Sequence, residues 1–99
     1  MTEAWQTVQR SHAITNGCYI AVANRTGREP APGQPHGGID FWGFSFIADP
    51  MGRVLAHANA TEETVLTVTI DPKVVESTRQ AWPFLRDRRV DLYSPLTKR

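Results

Sequence analysis

The chain has 99 residues, 40% of them hydrophobic, with 11 Lys and Arg against 10 Asp and Glu. That length leaves room for one domain and a modest core. The near-neutral balance removes any electrostatic argument for a nucleic acid or an anionic membrane as partner.

Cys18 is the only cysteine, which excludes an internal disulfide and fits a reducing cytoplasm. Residues 1–5 lack the basic-then-apolar order of a signal peptide, and no stretch approaches the ~20 apolar residues of a membrane span.

In chain order, Thr2 is the expected N-cap of a first helix, with Glu3 facing its positive end. From Ala4 to about Asn16 the pattern is helical. Trp5, Val8 and His12 form an apolar stripe, and Gln6, Gln9 and Arg10 form the wet face. Asn16-Gly17 closes the helix. No second ligand lies four residues from His12, so it reads as a hydrogen-bonded histidine on a packed face rather than a metal ligand.

Cys18–Asn24 reads as a strand that is apolar on both faces, buried between layers. Cys18 has no activating neighbours in sequence and reads as a buried thiol. Asn24, a polar residue ending a buried strand, is placed where α/β proteins often set functional groups, and capping a turn accounts for it equally well. Residues 25–38, with three prolines and four glycines, read as a long loop without regular structure. Its chemical groups are Glu29 and His36, which read as solvated loop residues before they read as a site.

Ile39–Ala56 reads as two short strands and a turn. Gly43 interrupts, and Phe44, Phe46 and Ala48 alternate with Ser45 and Ile47. Asp49-Pro50-Met51-Gly52 is the turn, and Arg53–Ala56 returns. His57–Glu63 is a polar connection. Thr64–Ile70 is the clearest strand of all, rich in β-branched residues. Asp71 and Pro72 start a second helix as N-cap and N1, with Val74, Val75, Thr78 and Trp82 inward and Pro83 ending it. Phe84–Tyr93 is a mixed polar and aromatic arm. A sheet with helices on one face leaves its other face to be covered, so the chain is expected to be incomplete or to pair with another.

Four segments carry a resemblance: WQTVQRSHAITNG at 5–17, ANRTG at 23–27, FWGFSFIADPMG at 41–52 and WPFLRDRRVDLY at 82–93. Together they resemble the C-terminal part of the nitrilase superfamily of carbon–nitrogen hydrolases, and within it the N-carbamoylputrescine amidase branch. The resemblance covers nearly the whole chain.

It implies an α/β fold, the C-terminal portion of a four-layer α-β-β-α sandwich, with residues 1–99 making about half of one domain and 84–99 its C-terminal arm. It implies a Glu–Lys–Cys triad, no metal or organic cofactor, and hydrolysis of N-carbamoylputrescine to putrescine, ammonia and carbon dioxide in polyamine synthesis. In that family all three triad residues lie upstream of the matched region. Cys18 aligns after the nucleophile, and neither Lys73 nor Lys98 matches the catalytic lysine.

The resemblance therefore assigns no catalytic residue here, and the chain alone is expected to be inactive. The implied partners are the upstream part of the same domain, a carbamoyl amine substrate and further copies in a homo-oligomer, with no nucleic acid or membrane. Asn24, Phe41 and Trp42 are the pocket-wall candidates. Trp5, Val8, His12, Trp82, Phe84, Arg86, Arg88 and Tyr93 are the interface candidates. The competing readings are a non-catalytic association module and another superfamily hydrolase, such as a ureidopropionase-like or D-carbamoylase-like enzyme.

Overall fold

The structure, a computed structural model, describes residues Met1–Arg99. Helix α1 spans Thr2–Asn16, followed by β1 (Ile20–Val22), β2 (Thr26–Pro30), β3 (Gly38–Trp42), β4 (Phe46–Ala48), β5 (Val54–His57) and α2 (Pro72–Ala81). Two short 3₁₀ helices, Val90–Leu92 and Ser94–Thr97, end the chain.

Met1, not Thr2, occupies the N-cap of α1, and no side chain caps it. At the other end Gly17 takes φ +55, and the N–H groups of Gly17 and Cys18 donate to Ile14 O and Ala13 O, a Schellman arrangement. The helix is rotated from the sequence expectation. Ala13 is fully buried and Gln6, Gln9 and Arg10 are half-buried, whereas Val8 and His12 face outward. A small residue at 13 lets the helix approach the sheet closely. The long polar side chains then lay their stems over apolar surface, and Arg10 Nε donates to Gly52 O at 2.6 Å. Trp5 packs edge-on against Phe46 and Trp42, with centroids 5.8 and 6.1 Å apart.

The strands form two antiparallel pieces, a three-stranded sheet in the order β1-β4-β5 and a β2-β3 hairpin. The hairpin occupies most of the stretch expected to be irregular. Thr26 pairs with Trp42 and Pro30 with Gly38, so only Ala31–Gly37 is left as the tip, where the remaining prolines lie. Val22 pairs with Phe46. Thr26 and Trp42 lie four residues further along each strand, so β1-β2 and β4-β3 are one ribbon in one register, broken between.

The Asp49–Gly52 turn forms as expected, with Gly52 N–H donating to Asp49 O at 2.8 Å. A β-bulge lies just before it, at Ile47 and Ala48. Helix α2 has Asp71 as N-cap, accepting from Lys73 N. It ends at Ala81, so Trp82 is its C-cap, 60% exposed, rather than an inward residue. Arg79 Nε donates to Asn16 O at 3.2 Å, tying α2 to the end of α1.

Two expectations about strands are corrected. Ala21 is exposed and Ile20 and Val22 are only half-buried, so β1 has no layer on its second face. Thr64–Ile70 joins no ladder despite its β-branched sequence. Propensity supplies the shape of a strand, but a strand also needs a neighbouring backbone. The buried apolar side chains are Ala13, Phe46, Ala48 and Ala58. The Cα radius of gyration is 18.4 Å and the molecule is 17 Å thin. A packed chain of this length would have a radius of about 13 Å.

Candidate functional site

The break in the ribbon is where side chains take over from backbone pairing. Asn24 follows β1, opposite the Gly43–Ser45 crossing. Its Nδ2 donates to Gly43 O at 2.8 Å, and its Oδ1 accepts from Arg25 N at 2.9 Å. Asn24 N–H donates to Ser45 Oγ at 2.8 Å, and Ser45 Oγ donates to Asn24 O at 3.2 Å. An amide holds both a donor and an acceptor on a short stem, so it can substitute for missing ladder bonds.

Opposite it the backbone turns left-handed twice in succession, with φ +62 at Gly43 and +57 at Phe44. A Cβ at Gly43 would lie 2.9 Å from both Asn59 O and Thr26 Cγ2, so the site requires glycine. Phe44 is the only non-glycine residue with positive φ. Such strain persists where surroundings enforce it and gathers at functional sites. Here it directs the Phe44 ring onto His57, stacked with centroids 5.6 Å apart. Phe44 is therefore not part of the β4 alternation.

The clasp borders a cleft of about 470 Å³ lined mainly by polar groups, among them Asn24, Arg25, Ser45, Asn59, Glu62 and Glu63. Asn59 Oδ1 accepts from Thr61 N and Glu62 N at 3.0 and 2.8 Å, turning the chain so that both glutamates reach the cleft. Two carboxylates beside an amide suit a cationic or hydrogen-bond-donating group. The cleft lining holds no cysteine and no lysine. No cluster of three His, Cys, Asp or Glu is gathered to hold a metal anywhere in the chain.

Of the pocket-wall candidates, Asn24 lines this cleft. Phe41 lies beneath the Arg25 guanidinium, 4.5 Å from its ring centroid, and Trp42 turns to Trp5. Arg25 also pairs with Glu29, and Arg28 with Asp40 at 2.7 Å, across the hairpin. His36 is exposed at the hairpin tip.

The interface candidates divide into two groups. Trp5 is engaged within the chain, whereas Val8 and His12 are outward. Trp82 and Phe84 tilt together at 6.0 Å. They line a second cleft of about 510 Å³ with Thr15, Asn16, Arg79 and Arg86. Arg86 pairs with Asp87, Arg88 Nε donates to Leu85 O, and Tyr93 is exposed. The sequence does not single out Ser45, Asn59, Glu62 or Glu63. Asn59 carried a signal, an asparagine before a short polar run, which is the chemistry of an Asx turn.

A sheet with a helix on one face, bare on the other and notched by a polar cleft at a strand end defines a layered α/β protein. The profile of the carbon–nitrogen hydrolase family matches residues 1–80, and the chain belongs to that family. It is 42% identical to an N-carbamoylputrescine amidase of Oryza sativa subsp. japonica over 95% of this chain and 32% of that protein. It is 37% identical to an omega-amidase of Mus musculus over 96% of this chain and 32% of that protein. A crystal structure of a carbon–nitrogen hydrolase from Helicobacter pylori superposes with a TM-score of 0.88 at 47% identity, covering 99% of this chain and 33% of that one. The chain thus spans about a third of the length of these relatives. None of its helices is long and apolar enough to cross a membrane.

Proposed function

We propose that the chain supplies the C-terminal part of an amidase that hydrolyses N-carbamoylputrescine to putrescine, ammonia and carbon dioxide. The observation that carries this is the 40–42% identity to plant N-carbamoylputrescine amidases across 93–95% of the chain. In this reading the upstream part contributes the Glu, Lys and Cys. Cysteine attacks the carbamoyl carbon, glutamate moves protons and lysine stabilises the oxyanion. The bare face of the sheet takes a second sheet, making the four-layer sandwich.

Asn24 then holds the pocket mouth in shape, and because Arg25 is paired with Glu29, Glu62 and Glu63 leave the cleft the charge an ammonium requires. Val8 and His12 on α1 and the 84–99 arm form contacts between copies of a cytoplasmic homo-oligomer.

The test is ammonia release from N-carbamoylputrescine by this chain alone and by the chain joined to the upstream part. Activity in the joined protein only is the expected result, and activity in neither removes the substrate. Turnover by the chain alone that is lost in Cys18→Ala would overturn the assignment of the triad. The 37% identity to an omega-amidase favours one second reading, the same hydrolysis on a different amide. A substrate panel on the joined protein separates the two.

A further inference from the structure

The second cleft lies between the end of α1 and the chain that follows α2, and its apolar wall is built locally. Phe84 N–H donates back to Trp82 O at 2.9 Å, a γ-turn about Pro83, and Asp87 N–H donates to Pro83 O at 3.0 Å. The turn leaves the two rings side by side, tilted by 32°, with Trp82 60% and Phe84 47% exposed. The facing wall is fixed as well. Thr15 Oγ1 donates to Ser11 O and Asn16 Nδ2 to His12 O, so both side chains are tied back to α1.

Two arginines and no acidic residue complete the lining. Arg79 uses only Nε, donating to Asn16 O, and Arg86 uses only Nε, donating to Asp87 at 3.1 Å. The terminal nitrogens of both guanidinium groups donate to nothing else in the chain. A guanidinium fork matches a carboxylate in shape as well as in charge. The cleft encloses about 510 Å³, a volume suited to a small organic molecule and far larger than a simple anion fills.

We propose that this cleft binds a small planar aromatic carboxylate, its ring against Trp82 and Phe84 and its carboxylate on Arg79 and Arg86. The arginines repel an alkylammonium, so the preference is the reverse of that of the Asn24 cleft, with which it shares no residue. The proposal does not rest on the amidase reading.

The test is equilibrium dialysis of naphthoate against the full 99-residue chain and against the joined protein. The expected result is one molecule bound per chain in both. Naphthalenemethanol keeps the ring without the charge, and inorganic phosphate keeps charge without the ring. Each should bind about tenfold or more weakly. Arg86→Gln should weaken naphthoate about tenfold, and Arg86→Lys, which keeps the charge and loses the fork, should weaken it less. Trp82→Ala should also cost about tenfold, and Trp82→Phe less. Both side chains are exposed, so these variants are expected to keep the fold, which circular dichroism checks.

Equal binding of the alcohol reduces the cleft to an apolar groove and overturns the proposal. Equal binding of phosphate reduces it to an anion site and does the same. Binding unchanged in both Arg86→Gln and Trp82→Ala places the ligand elsewhere. Binding that is absent from the joined protein, or that vanishes as rising concentration doubles the mass of the chain, overturns the proposal in favour of a cleft covered by protein. Ammonia release is read separately, and its failure removes the amidase reading while leaving the carboxylate site.

Discussion

Asp49 shows how one side chain fixes the turn on which α1 rests. It is buried, and its carboxylate accepts from Met51 N, Arg53 N and Arg53 Nε, at 2.9, 2.9 and 2.8 Å. Burial pushes its pKa up, but the Arg53 backbone, the Arg53 guanidinium and the Met51 N–H together outweigh this and hold it below 3.8. A carboxylate depressed on folding contributes stability that is present above its unfolded value and is lost as pH falls through the folded one. The urea midpoint of the joined protein should therefore drop as pH falls below 3.8, and Asp49→Asn should flatten that dependence and lower the neutral-pH stability by about 1–3 kcal/mol. Gly52 closes the same turn, its N–H donating to Asp49 O. Its φ is +75, and a Cβ would lie 2.7 Å from Ile14 Cδ1. Gly52→Ala should cost about 1–3 kcal/mol. Adding Ile14→Ala should recover only part of this, because the clash is relieved and the backbone strain is not. The Arg89–Asp91 pair in the exposed arm lowers the Asp91 pKa but is surface chemistry of little consequence for stability.

At the scale of elements, the ribbon break offers a sharper test than either strand. Asn24→Ala removes the bonds to Gly43 O and Arg25 N and should destabilise the joined protein by about 1–3 kcal/mol, with faster amide exchange in Thr26–Pro30. Asn24→Asp keeps the acceptor for Arg25 N but sets a carboxylate oxygen against Gly43 O, so it should destabilise at least as much as Asn24→Ala. Elements whose cues are local were legible in the sequence: the Gly17 stop, the Asp71-Pro72 start, the Asp49–Gly52 turn and the interruption at Gly43. Those decided by neighbours were not. Proline and glycine at the tip made 25–38 read as loop throughout, although Thr26–Pro30 pairs because β1 and β4 already fix its register. The inward face of α1 is not legible in the hydrophobic pattern, because Ala13, weak in any such pattern, sets the approach while the more apolar Val8 is left outside. Asn24 was legible as a candidate from its place after a strand. Its partners Ser45 and Asn59 were not, since nothing in sequence brings positions 24, 45 and 59 together.

For the whole molecule, the decisive quantity is how little it encloses. Phe46 is the one large apolar side chain that is fully buried, against exposed Val65, Trp82, Leu85 and Leu96. The chain alone should bind an apolar dye and show a broad thermal transition, whereas the joined protein should bind little dye and melt sharply. Trp82→Ala should change assembly and solubility more than substrate preference, measured by sedimentation beside the substrate panel. The unbroken register across the Asn24 clasp has an evolutionary consequence. Residues added or lost within Ala31–Gly37 shift neither the clasp nor the sheet behind it, so the hairpin can be lengthened, shortened or exchanged between lineages while the sheet is inherited unchanged. A single residue gained or lost at 23–25 or 43–45 has no such freedom, because it would turn every later side chain of that arm to the opposite face.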